Sequence, residues 1–180
     1  VINCAAFTNV DSAESNKEDS FLINSEGPKY IAESLWENGG KMLQISTDYV
    51  FDGNKNKPYL TSDMISPLNV YGKSKYFGER NILDILGYSS KAYILRTSWI
   101  LSPYRKNFAL TMLKLFSEKD SINVVSDQIG CPTSVFSLSD VCWKLITKLS
   151  SEQKLNLEIP IFHFSDAGSC SWFQLAMEIS

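Results

Sequence analysis

Tyr71 and Lys75, four positions apart in Val70-Tyr71-Gly72-Lys73-Ser74-Lys75, are the pair in this sequence best suited to proton chemistry. On a helix, positions i and i+4 share one face, so the spacing sets an ammonium beside a phenol. A nearby positive charge favours phenolate, and the expected result is a Tyr71 pKa below its ordinary value of about 10. A tyrosine so tuned can give a proton to a carbonyl oxygen or take one from an alcohol. Upstream, the hydroxyl pair Ser46-Thr47 closes an apolar run, and a hydroxyl at the end of a neighbouring strand can hold that same oxygen. Each feature alone is weak, since Tyr-x-x-x-Lys also decorates solvated helix faces and hydroxyls often end strands or cap helices. Together, in this order, they point to ketone–alcohol interconversion with a nicotinamide.

The elements that must position these groups alternate along the chain. The patterning predicts strands over 1–6, 41–47, 92–97, 122–125 and 159–164, and helices over 20–37, 70–86, 107–118 and 171–179. Asn38-Gly39-Gly40 supplies the stop for the first helix, as glycine does past a C-cap. Leu138, Val141, Cys142, Leu145, Ile146 and Leu149 repeat as one face of an amphipathic helix. The segment 48–67 reads as a long polar loop, and such loops are often functional. This order implies an α/β fold: a Rossmann-like, doubly wound parallel sheet over 1–100, followed by a smaller substrate-binding part over 101–180. The helix near 136–149 is a candidate to pack back on the sheet. In such sheets ligands bind at the carboxyl ends of strands, where 3–8, 46–48 and 97–99 fall.

Several further residues sit at those ends. Small side chains in Asn3-Cys4-Ala5-Ala6-Phe7-Thr8 would let a flat ring or ribose approach the backbone. Trp99 closes Arg96-Thr97-Ser98-Trp99, where an indole can lie against a sugar face or simply fill core. Gln128-Ile129-Gly130-Cys131-Pro132-Thr133 is a polar turn that suits a nucleotide base or phosphate. Asn24 reads as a buried amide linking backbone groups, and His163, on an apolar strand, as a structural histidine. Asp48-Tyr49 follows the hydroxyl pair. A sugar-nucleotide dehydratase would set two acidic residues there, so Tyr49 argues against dehydration.

Composition narrows the class. The 180 residues are 44% hydrophobic and 21% charged, with a net charge of −3. That balance suits a globular protein and gives no electrostatic reason to expect nucleic acid or an anionic membrane surface. No apolar run approaches the roughly 18 residues of a membrane span. Four scattered cysteines and one histidine argue against a Cys/His zinc site, and reduced thiols in the cytoplasm are expected. The chain starts without Met in an apparent strand and stops in an apparent helix, so it reads as a piece of a longer protein. Its glycines include no Gly-x-x-Gly-x-x-Gly at a strand–helix turn. That pyrophosphate-binding loop is expected before Val1, and without it weak or no NADPH binding is expected.

The strings Asn3 to Asp11, Ser46-Thr47-Asp48-Tyr49-Val50-Phe51-Asp52-Gly53, Pro67 to Lys75, Arg96 to Trp99 and Asp127 to Thr133 resemble the dTDP-4-dehydrorhamnose reductase family of extended short-chain dehydrogenases/reductases. The resemblance implies reduction of the C4 ketone of dTDP-4-dehydro-L-rhamnose by NADPH or NADH. In that reading Tyr71 donates the proton. Lys75 binds the nicotinamide ribose and lowers the Tyr71 pKa, and Thr47 hydrogen-bonds the C4 oxygen. Asp48 and Trp99 match sugar-contacting positions, and Ala6, Phe7, Thr8 and the Ile45 backbone match the cofactor wall. Cys4 replaces a common alanine, and Phe7 a frequent polar ring. Some members use Mg²⁺ at a dimer contact. The metal is not carried over, while a homodimer stays open. The alternatives are a non-catalytic subunit resembling the regulatory subunit of methionine adenosyltransferase, and another nucleotide-sugar epimerase or reductase.

Overall fold

Asparagine caps and short apolar runs set the elements of the computed structural model, which describes residues 1–87, 91–150 and 160–180. In chain order they are β1 (Ile2–Asn3), α1 (Val10–Ser15), α2 (Lys17–Phe21), a π turn (Leu22–Glu26), α3 (Gly27–Glu37), β2 (Met42–Thr47), a 3₁₀ turn (Asp48–Val50), α4 (Val70–Leu86) and β3 (Ala92–Thr97). Then follow β4 (Ile100–Leu101), α5 (Phe108–Glu118), β5 (Ile129–Gly130), β6 (Thr133–Ser134), α6 (Val135–Ser150), β7 (Ile161–His163), β8 (Cys170–Ser171) and α7 (Trp172–Ile179). Asn9, Asn69 and Asn107 cap α1, α4 and α5, each accepting a backbone N–H with its side-chain oxygen. Ser171 and Gln174 close a reciprocal capping box on α7.

The chain divides into two units. The first comprises Val1–Arg96 and Cys142–His163, and the second Thr97–Val141 and Phe164–Ser180. In the first, a sheet of order β1-β2-β3-β7 has parallel pairing of β1 with β2 and of β3 with β7. With helices between its strands, this is a Rossmann-like α/β arrangement. Ala32, Met42, Ile82, Leu86 and Ala92, all fully buried, join α3 and α4 to β2 and β3. Burying each larger side chain contributes roughly 1.5–3 kcal/mol. The second half of α6 belongs to this unit, and the carbonyl of its Leu149 accepts from Lys41 Nζ at 2.6 Å. In the second unit β4 runs parallel to β6 and β5 antiparallel to β8.

Four expectations change. The strand over 1–6 shrinks to Ile2–Asn3, because the Asn3 side chain accepts the Ala5 N–H at 3.1 Å and turns the chain off the sheet. The residues ahead of the helix expected from position 20 are already helical, in Val10–Ser15 and Lys17–Phe21. Asn9 caps the first, and Ala13 and Ser20 face inward, a sparse stripe that composition hides. Residues 122–125 form no strand: the Val125 carbonyl accepts from Phe173 N–H at 3.0 Å instead, and the short ladders lie later, in β5 and β6. The strand expected over 159–164 is Ile161–His163, and position 159 lies outside the described residues. No helix among the described residues is long and apolar enough to cross a membrane.

Candidate active site

The first turn of α4 is fixed from two sides. Asn69 Oδ1 accepts the Gly72 N–H at 2.7 Å, and Glu14 Oε1 accepts the Val70 N–H at 2.8 Å. At Gly72 the backbones nearly touch: a Cβ there would fall on the Tyr49 carbonyl oxygen and come within 3.1 Å of Pro67 Cβ. This close approach seats α4 on the 3₁₀ turn. It brings Tyr71 edge-on to Tyr49, with ring centroids 5.6 Å apart at 76°, and puts the Thr47 hydroxyl within hydrogen-bonding reach of the Tyr71 phenol. Thr47 Oγ1 donates to Asp48 Oδ1 at 3.2 Å and accepts the Tyr49 N–H at 3.2 Å.

The electrostatics correct one expectation. Tyr71 is not lowered by Lys75; burial first, and then the charges of Asp48 and Tyr49, push it up to about 12. Lys75 lies on the expected helix face, but its Nζ donates to the Ile45 carbonyl at 2.8 Å. Its own pKa falls to about 8, mainly through burial, which Glu79 and Cys4 partly oppose. Asp48 rises to about 6, again through burial, against hydrogen bonds from Thr47, its own backbone and Tyr49. Tyr71 is therefore a fully protonated acid at neutral pH, with burial above all, and Asp48 in addition, holding the proton on it against the hydrogen bond from Thr47.

A second set of bonds ties the segment after β1 to α4. Asn24, on the π turn and 1% exposed, accepts the Phe7 N–H at 2.8 Å and donates to the Phe7 carbonyl at 3.0 Å. It also donates to Ser74 Oγ at 2.9 Å, next to Lys75. The structural amide role expected of Asn24 is what the structure shows. Both backbone groups of Phe7 are taken by it, so the ring, not the main chain, is what Phe7 offers a ligand. Ala6 beside it is half-buried and Thr8 exposed. A Cβ at Gly78 would fall on the Asn24 carbonyl oxygen, so this glycine lets the π turn lie on α4. Behind the site, Asn3 Nδ2 donates to Gln44 Oε1 at 2.8 Å, and Gln44 Nε2 to the Ile45 carbonyl at 2.7 Å. That carbonyl thus serves both Gln44 and Lys75.

Sequence reasoning missed a buried charge cluster. Glu79, 1% exposed, and Arg96, 3% exposed, pair bidentately: Nε to Oε1 at 2.9 Å and an Nη to Oε2 at 2.6 Å. Ser46 Oγ donates to the same carboxylate at 2.5 Å. The signal was available, since a lone arginine in the apolar strand 92–97 requires a partner, and Glu79 follows Lys75 by one helical repeat on the same face. Beyond it, His163 Nδ1 lies 3.1 Å from the Tyr59 carbonyl. A carbonyl only accepts, so that nitrogen carries the proton, and Nε2 is left to face Arg96 at 3.4 Å. His163 is thus structural, as expected.

In the second unit Trp99 takes positive φ (44°) and stacks on Trp172, with centroids 3.4 Å apart at 10°. A Cβ at Gly130 would strike the Trp99 ring, so the expected turn at 128–133 packs against the indole. Ser98 Oγ donates to the Cys131 carbonyl at 3.0 Å. Thr97 Oγ1 is buried without a hydrogen-bond partner among the described residues.

Against this geometry the comparisons are clear. The model of the RmlD substrate binding domain family matches residues 1–180. The chain belongs to that family. A dTDP-4-dehydrorhamnose reductase of Aggregatibacter actinomycetemcomitans is 40% identical over 99% of this chain and 59% of its own length. The spore coat polysaccharide biosynthesis protein SpsK of Bacillus subtilis is 39% identical over 99% of this chain and 59% of its own. Among solved structures, the Bacillus anthracis dTDP-4-dehydrorhamnose reductase in complex with NADP superimposes with a TM-score of 0.89 at 39% identity, covering 99% of this chain and 59% of that one. This RmlD-family chain therefore spans about 59% of the length of the relatives it matches.

Proposed function

We propose that this RmlD-family chain carries the catalytic groups of a nicotinamide-dependent reductase that converts the C4 ketone of dTDP-4-dehydro-L-rhamnose to the alcohol of dTDP-L-rhamnose. The observation that carries the proposal is the Thr47 hydroxyl beside the buried Tyr71 phenol, with Lys75 one turn further along the same face of α4 and bonded to the Ile45 carbonyl. Tyr71 gives its proton to the C4 oxygen, and Thr47 holds that oxygen by hydrogen bonding. Burial keeps the phenol protonated between turnovers, Asp48, mostly ionised above pH 6, adds to it, and the same carboxylate is assigned to the sugar hydroxyls. The residues suit a nicotinamide cofactor. Lys75 spends one N–H on Ile45 and keeps two for ribose hydroxyls, while Ala6, the Phe7 ring and Thr8 offer a low wall for a flat ring. NADPH or NADH supplies the hydride when bound.

The second unit, with the Trp99–Trp172 stack, serves as the sugar-binding part. Four free thiols accord with a cytoplasmic enzyme. The test uses the full-length gene product: NADPH consumption is followed with dTDP-4-dehydro-L-rhamnose, and the sugar product is identified. NADPH loss with dTDP-L-rhamnose formed supports the proposal. Cofactor binding without turnover overturns it and favours a subunit that acts by binding a protein.

A further inference from the structure

We propose that Glu79 is the positioning residue of this site, its buried carboxylate clamping the α4 face that carries Tyr71 and Lys75 to the ends of β2 and β3. The inference rests on the reductase reading for its activity arm alone. Tyr71, Lys75 and Glu79 follow one another at i, i+4 and i+8 on α4, so they share one stripe. From that stripe the Glu79 carboxylate takes Ser46, the residue before Thr47, through Oε1. It takes Arg96 through both oxygens. A planar two-pronged pair fixes orientation as well as distance, and the added hydroxyl fixes the strand end from which Thr47 projects.

Arg96 carries the clamp outward. Its guanidinium lies 5.2 Å from the Phe51 ring centroid, and one Nη faces His163 Nε2. Phe51 stacks on Tyr59 at 4.2 Å, and the Tyr59 carbonyl meets His163 Nδ1. Two separate anchor points of the loop over residues 51–67 are thereby referred to one buried carboxylate. An ion pair this deep is a poor device for stability, because desolvation offsets most of the attraction. Its use here is geometric.

The same carboxylate acts on Lys75 through space. The titratable groups that influence Lys75 are Glu79 on its own helix and Cys4 after β1, both favouring the charged form against burial; from β2 it meets only the Ile45 carbonyl dipole. Removing the Glu79 charge leaves burial less opposed, so Lys75 loses its proton at lower pH.

The experiment compares wild type, Glu79→Gln and Ser46→Ala in the full-length gene product, with two readouts. The first is competitive acetylation of Lys75 across pH, quantified by peptide mass spectrometry, which needs no activity. The second is kcat and KM for NADPH-dependent reduction. In Glu79→Gln the Lys75 midpoint falls by about one pH unit, and kcat drops about 10- to 100-fold with KM little changed. In Ser46→Ala, which keeps the charge, kcat falls while the Lys75 midpoint stays. If Glu79→Gln does not fold, the Glu79→Gln/Arg96→Gln double variant, which removes both charges of the ion pair together, carries the same two readouts. A folded variant whose Lys75 midpoint and kcat both match wild type overturns the proposal, as does a fall in kcat with the midpoint unmoved in the Glu79 variants. A wild type that turns nothing over but shows the Glu79-dependent midpoint refutes the reductase reading and leaves the clamp standing.

Discussion

Asn24→Ala tests whether the segment after β1 is held to α4 by one amide. Asn24 makes three hydrogen bonds, at 2.8, 3.0 and 2.9 Å, to the two backbone groups of Phe7 and to Ser74 Oγ. A neutral hydrogen bond contributes about 1 kcal/mol net, and a partner left buried and unpaired costs more. Phe7 is half-buried, so water can reach part of what is exposed. Ser74 keeps the Tyr71 carbonyl at 2.8 Å and Ser20 at 3.0 Å. Three bonds, partly compensated, give an expected loss of about 2–4 kcal/mol, a large part of the roughly 5–15 kcal/mol that holds a typical domain. Urea unfolding followed by tryptophan fluorescence measures it through the midpoint at constant slope. Hydrogen exchange at the Phe7 amide localises it. Asn24→Asp keeps the acceptor for Phe7 N–H but sets a carboxylate against the Phe7 carbonyl, so it should cost at least as much as alanine. A loss below about 1 kcal/mol with the Phe7 amide still protected would refute the reasoning, because it would mean that the main chain holds this segment unaided.

Tyr71→Phe keeps the ring against Tyr49 and removes only the acid; kcat in the reductase assay should fall about 10²–10⁴-fold with substrate affinity preserved, and retained turnover would remove Tyr71 from the proposed role. Gly78→Ala drives a Cβ into the Asn24 carbonyl oxygen, a backbone neighbour that cannot swing aside, and should cost about 1–3 kcal/mol in urea midpoint; a neutral result would show that the π turn can retreat from α4. Asp48 has a folded-state pKa raised from 3.8 to about 6, so between those values the folded chain binds more protons than the unfolded. Its contribution is present at low pH and is lost as pH rises through about 6. At 1.36 kcal/mol per unit the loss is about 3 kcal/mol, and Asp48→Asn should flatten that slope in urea midpoints taken across the window. An unchanged slope would place the titration elsewhere.

What the sequence disclosed followed from periodicity and from groups whose chemistry is local. The β2 and β3 runs were legible because burial on both faces writes a nearly continuous apolar run, and the α4 stripe because burial on one side writes itself into residue type every third or fourth position. The Asn24 amide was legible because a polar residue inside an apolar stripe must be satisfied somewhere. The helical character of 10–21 was hidden because that segment buries little besides Ala13 and Ser20, too narrow a stripe to stand out. In the Glu79–Arg96 pair the arginine gave a signal, but its partner was hidden for another reason. Each charge is anomalous only once its element is known to be buried, and their meeting joins positions 79 and 96 across a helix and a strand. The Tyr71 pKa failed on sign because spacing shows which groups share a helix face but not where Lys75 Nζ points. That nitrogen turns to the Ile45 carbonyl, and on the phenol burial outweighs the hydrogen bond from Thr47, with Asp48 and Tyr49 adding to it.

That reversal of sign bears on the direction of the chemistry. Burial discharges ionisable groups, and here it moves all three in the direction that favours neutrality: Asp48 up to about 6, Tyr71 up to about 12 and Lys75 down to about 8. Near neutral pH the outcome is still a carboxylate, a phenol and a largely charged ammonium. The phenol is then a stored proton, kept in place by burial first and by the Asp48 charge after it, and in the proposed reaction the hydroxyl of Thr47 supplies a second contact for the oxygen that receives it. A site of this kind is loaded to protonate an oxygen, as reduction of a ketone requires. Oxidation of the alcohol would need tyrosinate, which burial and Asp48 both oppose. In the proposed reductase such a phenol serves as the acid of the reductive direction, and the proposed clamp at Glu79 would matter because a proton donor with so high a pKa transfers only when the acceptor oxygen is held in line with it.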